Sequence, residues 1–188
     1  MTVTVCNGKG GSGKTTVSIL LAAALAEAGH DVAVLDTDPQ QTATQWISDT
    51  GGLTLAENGK TYGTLIIDTP PRLESQAVSG AIQRGDVVVV VSSPSPADLF
   101  TSRSTVGRIA ELRATQRSRI LFNNVQPKTV LSRELADTAE LIGLERLKSQ
   151  IQRRQAYQHA VVLGWKSLPV EAREEIFKVA LEITAIRK

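Results

Sequence analysis

Short apolar runs alternate along the chain with longer segments whose apolar residues recur every three or four positions. The short runs are rich in β-branched residues and predict strands, whereas the longer segments predict helices. The predicted strands are residues 2–6, 31–36, 64–68, 86–92 and 119–122. The predicted helices are residues 14–28, 40–49, 74–83, 96–115, 131–142 and 169–186. For residues 143–165 we expect a short strand, a loop and a helix.

The alternation of strands and helices predicts an α/β fold with a mostly parallel central sheet and helices on both of its faces. The consecutive valines Val87 to Val91 are typical of a central strand that is covered on both sides. No repeat, low-complexity tract or linker interrupts the chain, so we expect residues 1–188 to form one domain. The polar, glycine-rich residues 51–63 are the segment expected to be most flexible.

The cysteine content and the hydropathy of the chain exclude several kinds of structure and site. Cys6 is the only cysteine, so an intramolecular disulfide and a cysteine-ligated iron–sulfur cluster are both excluded. The longest fully apolar run covers residues 19–26, far short of the roughly 18 residues that a membrane-spanning helix needs. No leader peptide is evident at the N-terminus, and we therefore expect a cytoplasmic protein.

One motif dominates the predicted chemistry. Residues 8–15 match G-x-x-x-x-G-K-[ST] without a mismatch, between a predicted strand and a predicted helix. Such a loop turns backbone N–H groups towards phosphate oxygens, and the helix N-terminus adds positive potential. Lys14 would reach the β- and γ-phosphates, the Thr15 hydroxyl would bind Mg²⁺, and Thr16 would contact the α-phosphate. The predicted phosphate-binding residues are Gly8, Lys9, Gly10, Gly11, Ser12, Gly13, Lys14, Thr15 and Thr16.

Aspartates follow two of the predicted apolar strands. Asp36 and Asp38 lie at and just beyond the second strand, and Asp68 ends the third. An acid at the end of such a strand is typical of the position that holds Mg²⁺ through a water in this class of site. Each acid could instead cap a helix or stabilise a turn. Beside the phosphate loop, we favour the magnesium role for Asp68 and a functional role for Asp38.

Together these motifs resemble the ParA/MinD group of deviant Walker A P-loop ATPases. The similarity is greatest to short ParA-type (ParF-like) partition proteins that have no N-terminal DNA-binding domain. It runs from about residue 4 to about residue 171, and its most specific part is residues 9–16, in which Lys9 is the extra lysine of the group. Matching stretches also occur at residues 36–40, 66–71 and 93–99. A weaker match includes Arg154 to Tyr157 and Gly164.

The resemblance implies a three-layer P-loop NTPase fold and a slow, Mg²⁺-dependent ATPase that forms a homodimer around two ATP molecules. It implies that Lys9 crosses the dimer interface to the partner's phosphates, where a cation stabilises charge on the transferring phosphoryl group. The resemblance also assigns Asp38 to the attacking water and Asp36 to the magnesium region. Asn123 or Asn124 would contact adenine, and the sequence does not decide between them.

Basic residues are concentrated in the second half of the chain. Residues 1–100 carry 5 basic and 10 acidic side chains, whereas residues 101–188 carry 16 and 9. Such an asymmetry suggests an anionic partner, although a well-solvated helical surface would look the same. The resemblance implies nonspecific double-stranded DNA, hence association with the nucleoid. The DNA-binding candidates are Arg103, Arg108, Arg113, Arg117, Arg153 and Arg154, with Arg119, Arg146, Lys148 and Lys166 as further basic residues of the two groups.

The leading hypothesis is therefore an ATPase that segregates a plasmid or chromosome with a ParB-like adaptor protein. An ATPase that positions carboxysomes or another protein cargo is the first alternative. A MinD-like membrane-associated regulator and an ATP-dependent enzyme for a small molecule are the others. The amphipathic residues 169–187 carry three glutamates near their start, Glu171, Glu174 and Glu175, so we expect them to dock on the domain rather than on a membrane.

Two departures from the family pattern stand out. Asp38 and Asp68 are only 30 positions apart, and residues 144–155 lack the proline that the group often has near its adenine pocket.

Overall fold

The computed structural model describes residues 1–186, which contain a six-stranded, fully parallel sheet. The strands are β1 (Thr2–Cys6), β2 (Val32–Asp36), β3 (Thr54–Leu55), β4 (Thr64–Asp68), β5 (Val87–Ser92) and β6 (Ser118–Phe122). Their order across the sheet is β3–β2–β4–β1–β5–β6. Since all strands point the same way, the loops that follow β1, β2, β4 and β6 meet at one edge of the sheet.

Helices cover both faces of the sheet. They are α1 (Lys14–Glu27), α2 (Thr42–Thr50), α3 (Gln76–Arg84), α4 (Pro96–Glu111), α5 (Val130–Arg133), α6 (Leu135–Ile142), α7 (Gln155–Leu163) and α8 (Val170–Ala185). The valines of β5 are fully buried, and alternate ones point to opposite faces. Val87, Val89 and Val91 pack in one core with α1, α2, α7 and α8, whereas Val88 and Val90 pack in another with α3, α4 and α6. The predicted three-layer α/β fold is confirmed.

The structure corrects the sequence prediction in three segments. Residues 51–63 contain β3, a two-residue edge strand that pairs with β2 and is too short to give a periodic pattern. The helix predicted for residues 96–115 ends at Glu111, because Arg113 adopts a left-handed conformation with φ 55° before a short 3₁₀ turn. The helix predicted for residues 131–142 is divided into α5 and α6 at Glu134, whose φ of −100° and ψ of 19° are not helical.

Residues 143–165 also differ from expectation. Their helix is present as α7, but in place of a strand the segment makes two isolated parallel bridges. Arg146 pairs with Ile120 inside β6, and Gln152 pairs with Val125 beyond its end. The segment therefore lies along the open edge of β6 without forming a regular strand of its own.

The helix α8 docks on the domain, as predicted for the amphipathic segment. Its apolar residues Ile176, Val179, Ala180 and Ile183 are buried in the core that includes α1. Residue 187, the last of the predicted amphipathic segment, lies outside the described residues. Within residues 1–186, no helix combines the length and the hydropathy that a membrane crossing requires.

Candidate functional site

The glycine-rich loop lies between β1 and α1, at the edge where the strands end. Gly11 and Gly13 have φ values of 75° and 95°, a backbone conformation that side-chain-bearing residues rarely adopt. A Cβ atom on Gly13 would overlap the Asn123 amide nitrogen, which donates a 3.0 Å hydrogen bond to the Ser12 carbonyl. The end of β6 is thus fixed directly against the loop, and only glycine fits at position 13.

Lys14 begins α1 and is almost completely buried beside this loop. Its ammonium donates a 3.0 Å hydrogen bond to the Lys9 carbonyl. Burial lowers the pKa of Lys14, and the Asp68 carboxylate partly opposes this shift. A negatively charged phosphate at the loop would stabilise the charged ammonium in the same way, so the position suits an anion ligand.

Thr15 and Asp68 form the candidate magnesium site. The Thr15 hydroxyl donates to one carboxylate oxygen of Asp68 at 2.8 Å, and the Ser18 hydroxyl donates to the other at 2.9 Å. Burial raises the pKa of Asp68 to about 6. The two hydrogen bonds from the hydroxyls lower this pKa, but by less than burial raises it. Hydroxyl and carboxylate oxygens are the ligands that Mg²⁺ prefers, and a buried carboxylate gains most from a nearby cation. These residues therefore fit the predicted ion.

The sequence did not single out Ser18, although a signal for it was present. Ser18 lies three residues after Thr15 on α1, so both hydroxyls face the same side of the helix. Within residues 1–186, no three His, Cys, Asp or Glu side chains are grouped so that they could hold a metal ion. In proteins, Mg²⁺ generally keeps several waters and binds one or two carboxylates together with substrate phosphates.

Asp36 has a different environment from the one expected of a magnesium ligand. One carboxylate oxygen accepts hydrogen bonds from the backbone N–H and hydroxyl of Thr44, at 2.9 and 3.1 Å, and the other accepts from the Asp38 N–H at 3.0 Å. One oxygen is therefore engaged in the first turn of α2, and the other in the loop that precedes this helix. In this structure Asp36 caps a helix and holds the loop that carries Asp38. Its negative charge also contributes to raising the pKa of Asp68.

Asp38 is half-buried beyond β2, and its carboxylate accepts a 3.0 Å hydrogen bond from the Gln40 N–H. The same loop is tied to the end of β4, where Thr37 donates to the Asp68 carbonyl through both its N–H and its hydroxyl. Asp38 is close enough to influence the charge state of Lys14. The structure thus brings Lys14, Thr15, Asp38 and Asp68 to one end of the sheet.

A polar cavity of about 540 Å³ adjoins the loop. Among the residues that line it are Gly11, Gly13 and Thr16 from the loop and α1, together with Asn123 and Asn124 from the end of β6. Asn123 is buried and its amide NH₂ is engaged with Ser12, whereas Asn124 is exposed with φ 57°. The two asparagines therefore remain alternatives for contact with a base.

The far wall of the cavity contains no residue that was predicted to bind the nucleotide, although the resemblance places residues 144–155 near the adenine pocket. It comes from the segment before α7 and from α7 itself, and includes Arg153, Arg154, Gln155 and Tyr157. Arg153 and Arg154 are among the predicted DNA-binding candidates. The spacing and hydrophobicity of these residues do not show that the segment folds back along β6 to meet the loop.

Lys9, the extra lysine of the motif, forms an ion pair with Asp98 in the first turn of α4. Asp98 is almost completely buried, and its second carboxylate oxygen accepts a 2.6 Å hydrogen bond from the Ser93 hydroxyl. The stretch 93–99 contributed to the family resemblance, but no role was predicted for Asp98. In the single chain, the lysine is therefore held by its own subunit.

The predicted DNA-binding arginines do not form one patch. Arg117 lies before β6 and Arg153 beyond its end, so the length of the strand, about 17 Å, separates them. Several are engaged by the protein itself: Arg103 with the Leu141 carbonyl, Arg108 with Glu111 and Ser79, Arg117 with the Ile82 and Gln83 carbonyls, and Arg154 with Glu175. Arg113 and Arg153 are exposed, and the described part of the chain shows no ion pair for either.

The sequence of this chain matches a known protein family. Residues 3–164 match the family model described as the CobQ/CobB/MinD/ParA nucleotide-binding domain. The chain belongs to this family. Its members include ATPases, and the resemblance to the ParA/MinD group is thereby confirmed.

Curated relatives of similar length match nearly the whole chain. The chain is 32% identical to the maintenance of carboxysome distribution protein A of Gloeobacter kilaueensis, over 96% of this chain and 93% of the relative. It is 29% identical to the protein of the same name from Halothiobacillus neapolitanus, over 92% and 88%. It is 25% identical to Protein ParA of Rhizobium radiobacter, over 96% and 90%.

Solved structures agree with this fold at low sequence identity. A McdA–ATP complex from Cyanothece superposes with a TM-score of 0.78 at 16% identity, covering 100% of this chain and 97% of the other. A plasmid partition protein from Borrelia burgdorferi bound to AMPPNP superposes with a TM-score of 0.76 at 16% identity, covering 97% of each. These similarities establish the ParA/MinD-type P-loop fold.

Proposed function

We propose that this protein is an ATPase that positions a cargo on DNA. It binds ATP and Mg²⁺ at the carboxyl edge of the sheet, dimerises around the nucleotides, binds DNA without sequence preference and is released after slow hydrolysis. The observation that carries this proposal is the meeting of Lys14, Thr15 and Asp68 beside a cavity bounded by Asn123 and Asn124. The loop offers a place for phosphates and the cavity offers a place for a base.

Each residue of the site has a role in this proposal. The loop amides and Lys14 hold the phosphates, and Thr15 and Asp68 hold Mg²⁺, which would neutralise charge on the phosphates when bound. Asp38 orients the attacking water. Lys9 reaches the partner subunit's nucleotide only after it leaves Asp98, so dimerisation exchanges a contact within the subunit for a contact between subunits. Asp36 acts indirectly, by holding the loop that carries Asp38.

For the cargo we favour a protein assembly of the carboxysome kind. Two relatives named for carboxysome distribution are 29% and 32% identical over nearly the full chain, compared with 25% for the ParA relative. Segregation of a plasmid or chromosome with a ParB-like adaptor is the second candidate, supported by the ParA relative. A MinD-like membrane role is less well supported, because the apolar face of α8 is buried against α1.

The biochemical cycle is tested by binding to random-sequence duplex DNA with ATP, with ADP and without nucleotide, across a salt series. We expect binding only with ATP and Mg²⁺, with a steep loss of affinity as salt rises. Lys9→Ala should still bind ATP but should neither dimerise nor bind DNA. Nucleotide-independent DNA binding, or DNA binding that survives Lys9→Ala, would rule out the proposed cycle.

The cargo is tested in the host cell. Deletion of the gene, followed by imaging of protein compartments and by plasmid loss rates, separates the two candidates. Clustered or unevenly inherited compartments with stable plasmids would support the protein cargo. Plasmid or chromosome loss with normally spaced compartments would favour partition instead.

A further inference from the structure

Residues 147–154, here called the β6-edge segment, lie between β6 and α8. On one side their backbone bonds to β6 and its extension: Leu147 N–H donates to the Ile120 carbonyl at 2.8 Å, and Ile151 N–H donates to the Phe122 carbonyl at 2.9 Å. Intervening N–H groups point away from the sheet. Such groups need acceptors from elsewhere, because within residues 1–186 no further strand covers this edge.

Two glutamates of α8 supply those acceptors. The Glu182 carboxylate accepts from the backbone N–H groups of Lys148 and Ser149, at 2.5 and 2.8 Å. Glu175 accepts from the Gln152 N–H at 2.8 Å. The two glutamates are seven residues apart, two helical turns, so they lie on the same face of α8 and follow the segment along its length.

Glu175 also fixes two side chains of the cavity. The Tyr157 hydroxyl donates to it at 2.7 Å, and the Arg154 guanidinium pairs with it at 3.3 Å. Its side chain is only 12% exposed, so these bonds are largely shielded from water. Tyr157 and Arg154 line the 540 Å³ cavity opposite the glycine-rich loop. One carboxylate thus receives three donors that determine the position of the far cavity wall.

We propose that Glu175 is a specificity-determining positioning residue, which fixes the β6-edge segment so that the cavity selects the base of the bound nucleoside triphosphate. This inference rests on the proposed function, since it assumes that a base occupies the cavity. A segment without regular secondary structure would otherwise have to be ordered on binding, at a cost in affinity. A polar wall held in one arrangement also penalises a base whose donors and acceptors do not match it.

The test compares ATP, GTP and inorganic tripolyphosphate as ligands of wild type and Glu175→Gln, by titration calorimetry with Mg²⁺. Glutamine has the same size but offers one oxygen acceptor and an NH₂ donor, so it cannot satisfy all three donors. We expect Glu175→Gln to weaken ATP binding about 10-fold, in line with the loss of a hydrogen bond to a charged group. The ATP-to-GTP affinity ratio should fall, and tripolyphosphate, which contacts only the loop, should bind as it does to wild type.

Glu174→Gln is the matched control. Glu174 is exposed on the same helix, and within residues 1–186 it accepts none of the hydrogen bonds that the β6-edge segment donates to α8. The same change of charge should therefore leave all three affinities unchanged. Tyr157→Phe is a second variant in case Glu175→Gln does not fold. It removes one donor to Glu175 and keeps the ring, so the base preference should shift in the same direction by a smaller factor.

The outcomes separate this inference from the proposed function. If ATP and tripolyphosphate both fail to bind wild type, the proposed function fails and this inference with it. If wild type binds ATP but the ATP-to-GTP ratio is the same in Glu175→Gln, this inference alone is wrong. An equal loss of affinity for all three ligands would also overturn this inference, because it would mean that Glu175 supports the fold of the site and does not affect the choice of base.

Discussion

At the scale of single residues, the site contains two buried ionisable side chains, Lys14 and Asp68, each of which makes hydrogen bonds within the protein. Asp68 is almost fully buried, and two hydroxyls reduce but do not cancel the cost of ionising it, so its pKa is about 6. Lys14, buried nearby, has a lowered pKa for the same physical reason. The negative charge of Asp68 stabilises the Lys14 ammonium, and the positive charge of Lys14 stabilises the Asp68 carboxylate. A bound phosphate would further stabilise the ammonium, and a bound cation would further stabilise the carboxylate.

Asp68 predicts how stability changes with pH in the absence of nucleotide. Its pKa rises from 3.8 to about 6 on folding, so its contribution to stability is full below pH 4 and is lost as pH rises through 6. Relative to Asp68→Asn, wild type should therefore lose about 2.5 kcal/mol of unfolding free energy between pH 4 and pH 7. Urea unfolding of both proteins across this range measures the difference. Parallel curves would mean that Asp68 ionises freely in the folded protein.

Gly13 predicts a second effect at the residue scale. Alanine there would have to adopt φ 95° and would displace the Asn123 amide from Ser12. We expect Gly13→Ala to lower the unfolding free energy by about 2 kcal/mol or more without ligand. Gly10→Ala is the control: its Cβ meets no atom of the described residues within 4 Å, and its stability should stay within about 0.5 kcal/mol of wild type. Equal stability of the two variants in urea unfolding would contradict the steric argument.

At the scale of elements, carboxylates of one element accept hydrogen bonds from the backbone N–H groups of another. The residue before α2, Gln41, has a left-handed φ of 53° and provides no side-chain cap. Asp36, at the end of β2, caps the helix instead through Thr44. In the same way Glu175 and Glu182 of α8 hold a segment that belongs to no regular element. Distant carboxylates therefore join elements that local sequence patterns treat as independent.

Asp36→Ala tests the capping role. Removal of the carboxylate leaves the N–H groups of Asp38 and Thr44 without this acceptor, and we expect a loss of about 1–2 kcal/mol in unfolding free energy, without Mg²⁺ or nucleotide. Asp49→Ala, at the other end of α2, removes only an exposed bond to Gln45 and should change stability little. If Asp36→Ala affected only Mg²⁺-dependent binding and left stability intact, Asp36 would be assigned to the metal after all.

At the scale of the whole molecule, basic side chains that share the second half of the sequence lie far apart in the fold. Arginines of the basic second half lie both before β6, as Arg117 does, and beyond its end, as Arg153 does, and several of them bond to nearby carbonyl or carboxylate groups. The proposed DNA-binding surface would therefore be built from the arginines that remain exposed, and the proposed dimer would present each of them twice. Arg113, at the edge opposite the nucleotide site, is one of these.

Arg113→Ala and Arg117→Ala form a matched pair at this edge. Arg113 is exposed, whereas Arg117 donates to the carbonyls that end α3. We expect Arg113→Ala to weaken ATP-dependent DNA binding and to reduce the salt slope by about 0.9 for each DNA phosphate that the arginine neutralises in wild type, with unchanged thermal stability. Arg117→Ala should instead lower the melting temperature. If Arg113→Ala leaves the salt slope unchanged, this edge does not face DNA.

The sequence by itself determined the features that depend on near neighbours in the chain. The phosphate loop, the strand–helix alternation and the buried valines of β5 follow from local spacing and hydrophobicity, so the α/β fold, the family and the residues of the loop were predictable. The position of Asp68 beside the loop was predictable as well, because an acid at the end of an apolar strand is a local signal. The predicted helix boundaries were wrong at Arg113 and Glu134. The backbone conformation of Arg113 ends one predicted helix early, and that of Glu134 divides another.

Only the tertiary structure decided which residues meet across long distances in the sequence. Glu175 meets Tyr157 and Arg154, Lys9 meets Asp98, and Asn123 meets Ser12, 111 positions away. Tertiary structure also decided that Asp36, predicted for the magnesium region, accepts hydrogen bonds from Asp38 and Thr44, and it placed arginines of the basic second half both before β6 and beyond its end. Such contacts depend on the order of strands in the sheet and on how segments fold back along it. Neither is encoded in the spacing of a few residues, since burial and pairing are properties of the assembled chain.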